Sequence, residues 1–281
     1  RALYGVHGGA QLLCAYGVAA QMSDNYFAQL QMLSMSANDS VAEARLKLDR
    51  IAEIFQNRPE QKEWIQAFAW LRKDFPVEAL IQAGAFAVNF YDTPSILPEE
   101  LQHDSLGFVS DSHLVYRGRF VYPVKDTRGH VAGWCGYDAF EDPKYLDSKN
   151  YGYNAKDALF YGAEMLPTYY RNNRPVFIVE GIVCCLWLRS QGFQALASLG
   201  SYLTPYMVVV LKRFGRRCIV IPDSDEAGNK YRHQVQMALP MARCVQSCVA
   251  KDIDDSRQVY PKLADELRKL ESPFGRSLIF S

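Results

Sequence analysis

Net charge is the first thing this chain does without. Its 281 residues carry 31 Lys and Arg against 31 Asp and Glu, so the formal charge at neutral pH is zero. A polyanionic partner is not announced by bulk charge, and any attraction to one has to come from a local patch. The seven cysteines are odd in number and scattered: Cys184 and Cys185 are adjacent, Cys244 and Cys248 lie four apart, and no C-x2-C pair occurs. No zinc site is therefore expected, and buried thiols in a reducing cytoplasm are. No apolar run approaches the length of a membrane helix, and no signal peptide opens the chain, so no membrane partner is expected. The first residue is Arg1 rather than Met, which points to a piece of something longer. What is there is an ordinary globular balance, 49% hydrophobic and 22% charged, enough for one large or two ordinary domains with real cores.

Residues 1 to about 90 read as helical. Ala10–Ala20 is apolar with small residues. Val41–Phe55 places Val41, Ala44, Leu46, Leu48, Ile51, Ile54 and Phe55 close to one helical stripe, and Gln61–Leu71 is rich in apolar and aromatic residues. Pro76 starts a shorter helix, Val77–Ala83, closed by Gly84. His7 has no partner at a useful spacing and reads as structural. Prolines and acids between Asp92 and Asp104 mark a connector. The texture then changes to short β-type runs, Leu106–Val109, His113–Tyr116, Arg119–Val124 and His130–Tyr137, separated by turn residues and expected to form a small antiparallel meander. Within 117–156 lie seven cations, Arg117, Arg119, Lys125, Arg128, Lys144, Lys149 and Lys156, interleaved with aromatics such as Trp134, Tyr145 and Tyr151. Cations grip phosphates and aromatic faces stack on unpaired bases. Asp126, Asp138, Glu141, Asp142, Asp147 and Asp157 nearly cancel that charge.

The chain is organised around 174–254. Three apolar runs there each deliver acids at their ends. Pro175–Val179 stops at Glu180-Gly181, Cys218–Ile221 stops at Asp223-Ser224-Asp225, and a weaker Cys244–Val249 leads to Lys251-Asp252-Ile253-Asp254-Asp255. The runs are too short for helices and rich in β-branched residues, which predicts buried parallel strands. Helical patterns at Ile182–Gln191, Pro205–Phe214 and Glu226–Leu239 alternate with them, so a doubly wound sheet is expected. Ligands of such sheets bind beyond the carboxyl ends of the strands. Glu180, Asp223, Asp225, Asp252 and Asp254 are thus expected at one edge, where crowded carboxylates need a cation among them. Hard oxygen donors suit Mg2+ or Mn2+, with open positions left for phosphate oxygens.

At these residues the chain resembles the TOPRIM domain shared by bacterial-type primases, topoisomerases and some nucleases. Ala197-Ser198-Leu199-Gly200-Ser201 is similar to the A-S-L-G-T turn of DnaG-type primases, D-S-D-E-A-G at 223–228 to their D-G-D-x-A-G, and K-D-I-D-D at 251–255 to their K-D-P-D-D. Upstream, the run G-R-F-V-Y-P-V-K-D-T-R-G-H-V-A-G-W-C-G at 118–136, Pro143-Lys144-Tyr145-Leu146-Asp147-Ser148, and Lys156 in N-A-K-D-A-L-F-Y-G continue the likeness, in the family's order and at its spacing, over about 115–260. The resemblance implies an α/β chain, α+β overall, with a TOPRIM parallel sheet and flanking helices at 171–260. An N-terminal helical region at 1–104 and a basic antiparallel β lobe at 105–170 precede it, and a C-terminal helix and tail at 261–281 follow. It implies a DNA primase, a DNA-directed RNA polymerase acting in the cytoplasm at the replication fork. Its substrates would be ribonucleoside triphosphates on single-stranded DNA, its product an RNA primer and its partner a replicative helicase.

By the same resemblance two or more Mg2+ or Mn2+ ions are held by Asp223, Asp225 and Asp252 with Asp254, and Glu180 is a further ligand or a general base. Lys144, Lys156, Arg119, Lys125 and Arg128 are the implied contacts to nucleotide or template. Three departures stand out. Tyr137 takes the place of an arginine, Cys184 the place of an acid on the first turn of its helix, and no zinc-binding module precedes the core. A TOPRIM nuclease and a non-catalytic single-strand-binding protein are the alternatives. The acids fit the first, whereas clustered carboxylates without a task cost stability and speak against the second.

Overall fold

The computed structural model describes residues 39–141, 143–148, 160–245 and 249–271. Two compact units divide the chain at Ala44/Arg45; of the first, only the start of helix α1 (Asp39–Gln56) is described, and all that follows concerns the second. The expected helix at Ala10–Ala20, His7, Lys149, Lys156 and Cys248 lie outside the described residues.

Helices α2 (Gln61–Leu71) and α3 (Val77–Gln82) form where their spacing predicts, and Gly84 closes α3 at φ +69. An antiparallel sheet follows, in the order β1 (Phe86–Ala87), β4 (Phe120–Lys125), β5 (Val131–Tyr137), β6 (Tyr145–Asp147). Strand β1 was not expected; two residues carry no period. It pairs Phe86 with Val121 and Ala87 with Phe120, and Val88 extends the contact by bonds to Arg119 and Gly118. Pro123, with no N–H to give, lies just past that pairing, where β4 is a sheet edge. The Gln61 side chain joins helix to sheet, donating to the Ala87 carbonyl at 2.7 Å and accepting from the Ala87 amide at 2.8 Å. Phe55, Phe86, Phe108 and Trp134 pack at ring separations of 5.0 to 6.1 Å beneath the sheet. A side chain at Gly136 of β5 would collide with Tyr116 and crowd Arg119, so this strand admits only glycine there.

The expected strands at Leu106–Val109 and His113–Tyr116 shrink to β2 (Val109–Ser110) and β3 (His113–Leu114), a separate hairpin. Its turn residues Asp111 and Ser112 are both left-handed, at φ 49 and 61, the twist a two-residue hairpin demands. Asp104–Leu106 is a 3-10 turn ended by left-handed Gly107, which stops the first strand from starting at Leu106.

After helix α4 (Leu166–Arg171) comes the parallel sheet. Strands β7 (Val176–Val179), β8 (Gln194–Ala197), β9 (Cys218–Val220) and β10 (Arg243–Cys244) stand in the order β10-β9-β7-β8. Between them run α5 (Ile182–Ser190), α6 (Pro205–Lys212) and α7 (Glu226–Ala238); α8 (Ile253–Val259) and α9 (Leu263–Glu271) follow. All four residues of β7 are buried, as a central parallel strand requires. Strand β8 was not foreseen: Gln194–Ala197 has no apolar run long enough to signal it, yet it pairs along the whole of β7. From β7 the chain winds outward to β8, whereas from β9 it winds the other way to β10. The carboxyl ends of β7 and β9 therefore flank the switch point of the sheet, where a crevice opens.

Candidate active site

Glu180 follows β7 and Asp223 follows β9, so the switch point brings together two acids 43 residues apart in sequence. Glu180 is buried, 6% exposed, and both its carboxylate oxygens are engaged. Oε1 accepts the Asp223 backbone N–H at 2.9 Å, and Oε2 accepts the Ser201 hydroxyl at 2.5 Å. The turn that presents Ser201 holds Leu199 in the left-handed region, φ 60, a conformation a leucine adopts only where its surroundings enforce it. Two backbone bonds do so: Ser198 N–H to the Val179 carbonyl, and Leu199 N–H to that of Glu180.

Past Asp223, Ser224 donates to the Lys251 carbonyl at 2.6 Å, which registers the 251–255 segment against the β9 loop. Gly228 lets the first turn of α7 close on the loop, since a β-carbon there would collide with the Asp223 carbonyl. Asp225 caps α7, its Oδ1 accepting from Gly228 N–H at 2.9 Å. Asp252 caps α8 in the same way, with Asp255 N–H at 2.8 Å.

These loops close a cavity of about 320 Å³ lined by Glu180, Asp223, Asp252, Asp254, Lys251 and Arg72, with Cys184 and Tyr145 among the other walls. Asp225 is not among its lining residues. Burial, reinforced by the negative charge of Glu180 and Asp252, pushes the Asp223 carboxyl up to about 7. Burial raises Asp252 as well. Asp225 is the opposite case: the Gly228 N–H, with Lys251 beside it, holds its carboxyl below the usual range. The Cys184 thiol is driven well up by burial, then by Asp252 and Asp223, so it stands there as a neutral wall.

Asp254 has a different setting from its neighbours. It is 2% exposed, with Arg72 Nη1 2.7 Å from Oδ2 and Arg257 Nε 2.7 Å from Oδ1. Arg257 also donates to the carbonyls of Arg72 and Lys73, and Arg72 lies 4.4 Å over the Tyr137 ring. The two guanidiniums thus tie α8 to the end of α2, 182 residues away in sequence.

Of the cations implied as nucleotide or template contacts, none among the described residues lines this cavity. Arg119 is 8% exposed and its Nη1 donates to the carbonyls of Pro143 and Lys144, at 3.1 and 3.2 Å, which makes it a strut under the β5–β6 connection. Lys125 and Arg128 stand at the β4–β5 turn, and Lys144 is exposed just before β6; none of the three lines the cavity. Lys156 is outside the described residues. Among the described residues the lining cations are Arg72 and Lys251. Arg72 escaped sequence reasoning because it sits at the end of an unremarkable helix, and its only signal is a basic pair after an aromatic run.

Among the described residues, no group of three or more His, Cys, Asp or Glu is arranged to hold a metal ion. The donors in the cavity are nonetheless hard oxygens, and the charges of Glu180 and Asp252, added to the burial that raises Asp223, are a crowding that a cation relieves. Mg2+ binds through one or two carboxylates and completes its shell with water and phosphate oxygens, so Asp223 and Asp252 fit it.

Comparison with known proteins finds relatives of this fold. Residues 177–257 match a family model described as Toprim-like. The chain is 25% identical over 237 residues to a DNA primase of Aquifex aeolicus, covering 80% of this chain and 46% of that protein. It is 33% identical over 117 residues to one of Clostridium acetobutylicum, covering 40% and 19%. It spans less than half the length of these relatives. Among solved structures it is similar to the zinc-binding and RNA polymerase domains of Aquifex aeolicus primase (TM-score 0.67, 20% identity, 90% of this chain and 68% of that one). It is also similar to the RNA polymerase domain of Mycobacterium tuberculosis DnaG (0.67, 17%, 82% and 82%). A third is a DnaG catalytic domain bound to single-stranded DNA (0.64, 22%, 80% and 79%).

Proposed function

We propose, for a chain that carries a Toprim-like domain within the fold of the DnaG-type primase catalytic core, that it synthesises short RNA primers on single-stranded DNA. The observation that carries this reading is the convergence of Glu180, Asp223 and Asp252 on one cavity at the switch point of the parallel sheet. The substrates are ribonucleoside triphosphates. A primer 3′-hydroxyl attacks the α-phosphorus, the bond to the β-phosphate oxygen breaks, and pyrophosphate leaves.

Asp223 and Asp252 are the residues that hold Mg2+ or Mn2+, and Asp225 stands beside them with Oδ2 toward Lys251 at 3.4 Å. When bound, the divalent ions supply charge stabilisation for the phosphoryl oxygens and orient the triphosphate. Glu180 acts as a brace, fixing the β9 loop through the Asp223 amide and the 199–201 turn through Ser201. Asp254, with both oxygens held by arginine, keeps α8 in place and so sets the position of Asp252 at its cap. Tyr137, at a position where the family resemblance implies an arginine, supports the guanidinium of Arg72 at the cavity wall. Template contacts by Lys144 and Lys156, a helicase partner and a place at the replication fork in the cytoplasm complete the reading; no described helix is long and apolar enough to cross a membrane.

The test supplies single-stranded DNA, labelled ribonucleotides and Mg2+ or Mn2+. Template-dependent short RNA supports primer synthesis. Shortened DNA would assign the site to phosphodiester cleavage, and binding without either product would leave a single-strand-binding protein.

A further inference from the structure

Among the described residues two cations line the acidic cavity, and they are held differently. Arg72 is locked, with Asp254 at 2.7 Å and the Tyr137 ring beneath it. Lys251 has its backbone fixed by Ser224 N–H, while its side chain is 58% exposed and makes a loose pair, Nζ to Asp225 Oδ2, at 3.4 Å. Lys251 shares the cavity wall with Asp223 and Asp252, and Asp225 is its paired acid. A flexible ammonium with three rotatable donors is suited to change partners.

We propose that Lys251 is the resident counter-ion of the cavity, which gives up that place to an entering divalent cation and turns to the phosphate tail of the nucleotide. The inference rests on the metal-dependent reading of the site above. In the metal-free state the ammonium offsets part of the acids' repulsion. A divalent ion at Asp223 and Asp252 competes with it for the same field, and once the acids are neutralised the displaced ammonium finds its strongest partner in the triphosphate that accompanies the metal. One residue thereby opposes metal binding and favours nucleotide binding, a pair of opposite signs that a surface lysine does not produce.

The experiment uses the full chain, with Mn2+ as the probe, free Mn2+ being followed by its electron paramagnetic resonance signal. Lys251→Met, which keeps length and removes charge, is expected to bind Mn2+ about three- to tenfold more tightly than wild type, from the loss of one unit charge a few ångströms from the ion. At saturating Mn2+ the same variant is expected to bind a ribonucleoside triphosphate about tenfold more weakly by calorimetry. Lys251→Arg, keeping the charge, is expected to stay near wild type in both. Unchanged or weaker Mn2+ binding in Lys251→Met, or unchanged nucleotide binding, overturns the counter-ion role. A wild type that binds no Mn2+, or binds it equally well after Asp223→Ala, overturns the metal reading itself, and the lysine proposal with it.

Discussion

Two ends of one cavity treat their acids in opposite ways. Asp254 is more deeply buried than Asp223, yet it lies between Arg72 and Arg257, so its charge holds two distant parts of the chain together. Asp223 faces Glu180 and Asp252, with the half-exposed Lys251 as its cationic neighbour, and its carboxyl is pushed up to about 7. The first end is finished by folding. The second is left electrostatically incomplete, and that incompleteness is what a metal and a triphosphate can exploit. Neighbouring carboxylates in similar sequence contexts thus divide into one that builds the structure and one left for the proposed chemistry.

Mutations can break this division or sharpen it. The largest effect belongs to the chemical end: Asp223→Ala with Asp252→Ala is expected to lower primer synthesis at least about 10³-fold, with an unchanged circular dichroism spectrum. The reverse holds at the other end. Asp254→Ala leaves two guanidiniums without their carboxylate and is expected to cost about 3 kcal/mol of stability in urea unfolding.

A pH series separates the ends by sign. An acid whose folded value lies above its unfolded one near 3.8 binds protons more tightly when folded. Stability from Asp223 is therefore present below about 4 and lost as pH rises toward about 7. In chelator, wild type is expected to lose on the order of 2 kcal/mol across that window, and Asp223→Asn to remove most of the slope. Ser201→Ala, which deletes one bond to the Glu180 brace, is expected to cost about 1 kcal/mol. Lys144→Ala, on an exposed side chain, is expected to stay within about 0.5 kcal/mol of wild type in stability, so any effect on template binding in a fluorescence assay reads the contact alone.

Much of this was legible in the chain. Val176–Val179 and Cys218–Val220 announce themselves as buried apolar runs, and the acids at their ends follow from the carboxyl-edge rule, as do the three helices that alternate with the strands. The short pieces were not legible. Two residues of β1 and four of β8 have no period of their own and exist because β4 and β7 present open edges. Nor does composition tell a carboxylate with arginine partners from one without. Asp223 and Asp254 differ through Arg72, 182 residues from Asp254 along the chain, and no local pattern carries that distance. The cation-rich stretch misleads for a related reason: Arg119 turned inward to satisfy carbonyls of its own lobe, a use that charge counting does not see.

The missing side chain at Gly228 reaches further than one helix turn. Because α7 can seat itself directly against the Asp223 carbonyl, the loop that bears this aspartate is wedged between a helix start on one side and the Glu180 brace on the other. Retreat from the neighbouring acids is blocked mechanically, so the mutual repulsion is preserved as stored readiness instead of being relaxed away. A methyl group at 228 would act as a shim, lifting the loop and letting the acids drift apart while the chain keeps every carboxylate it has.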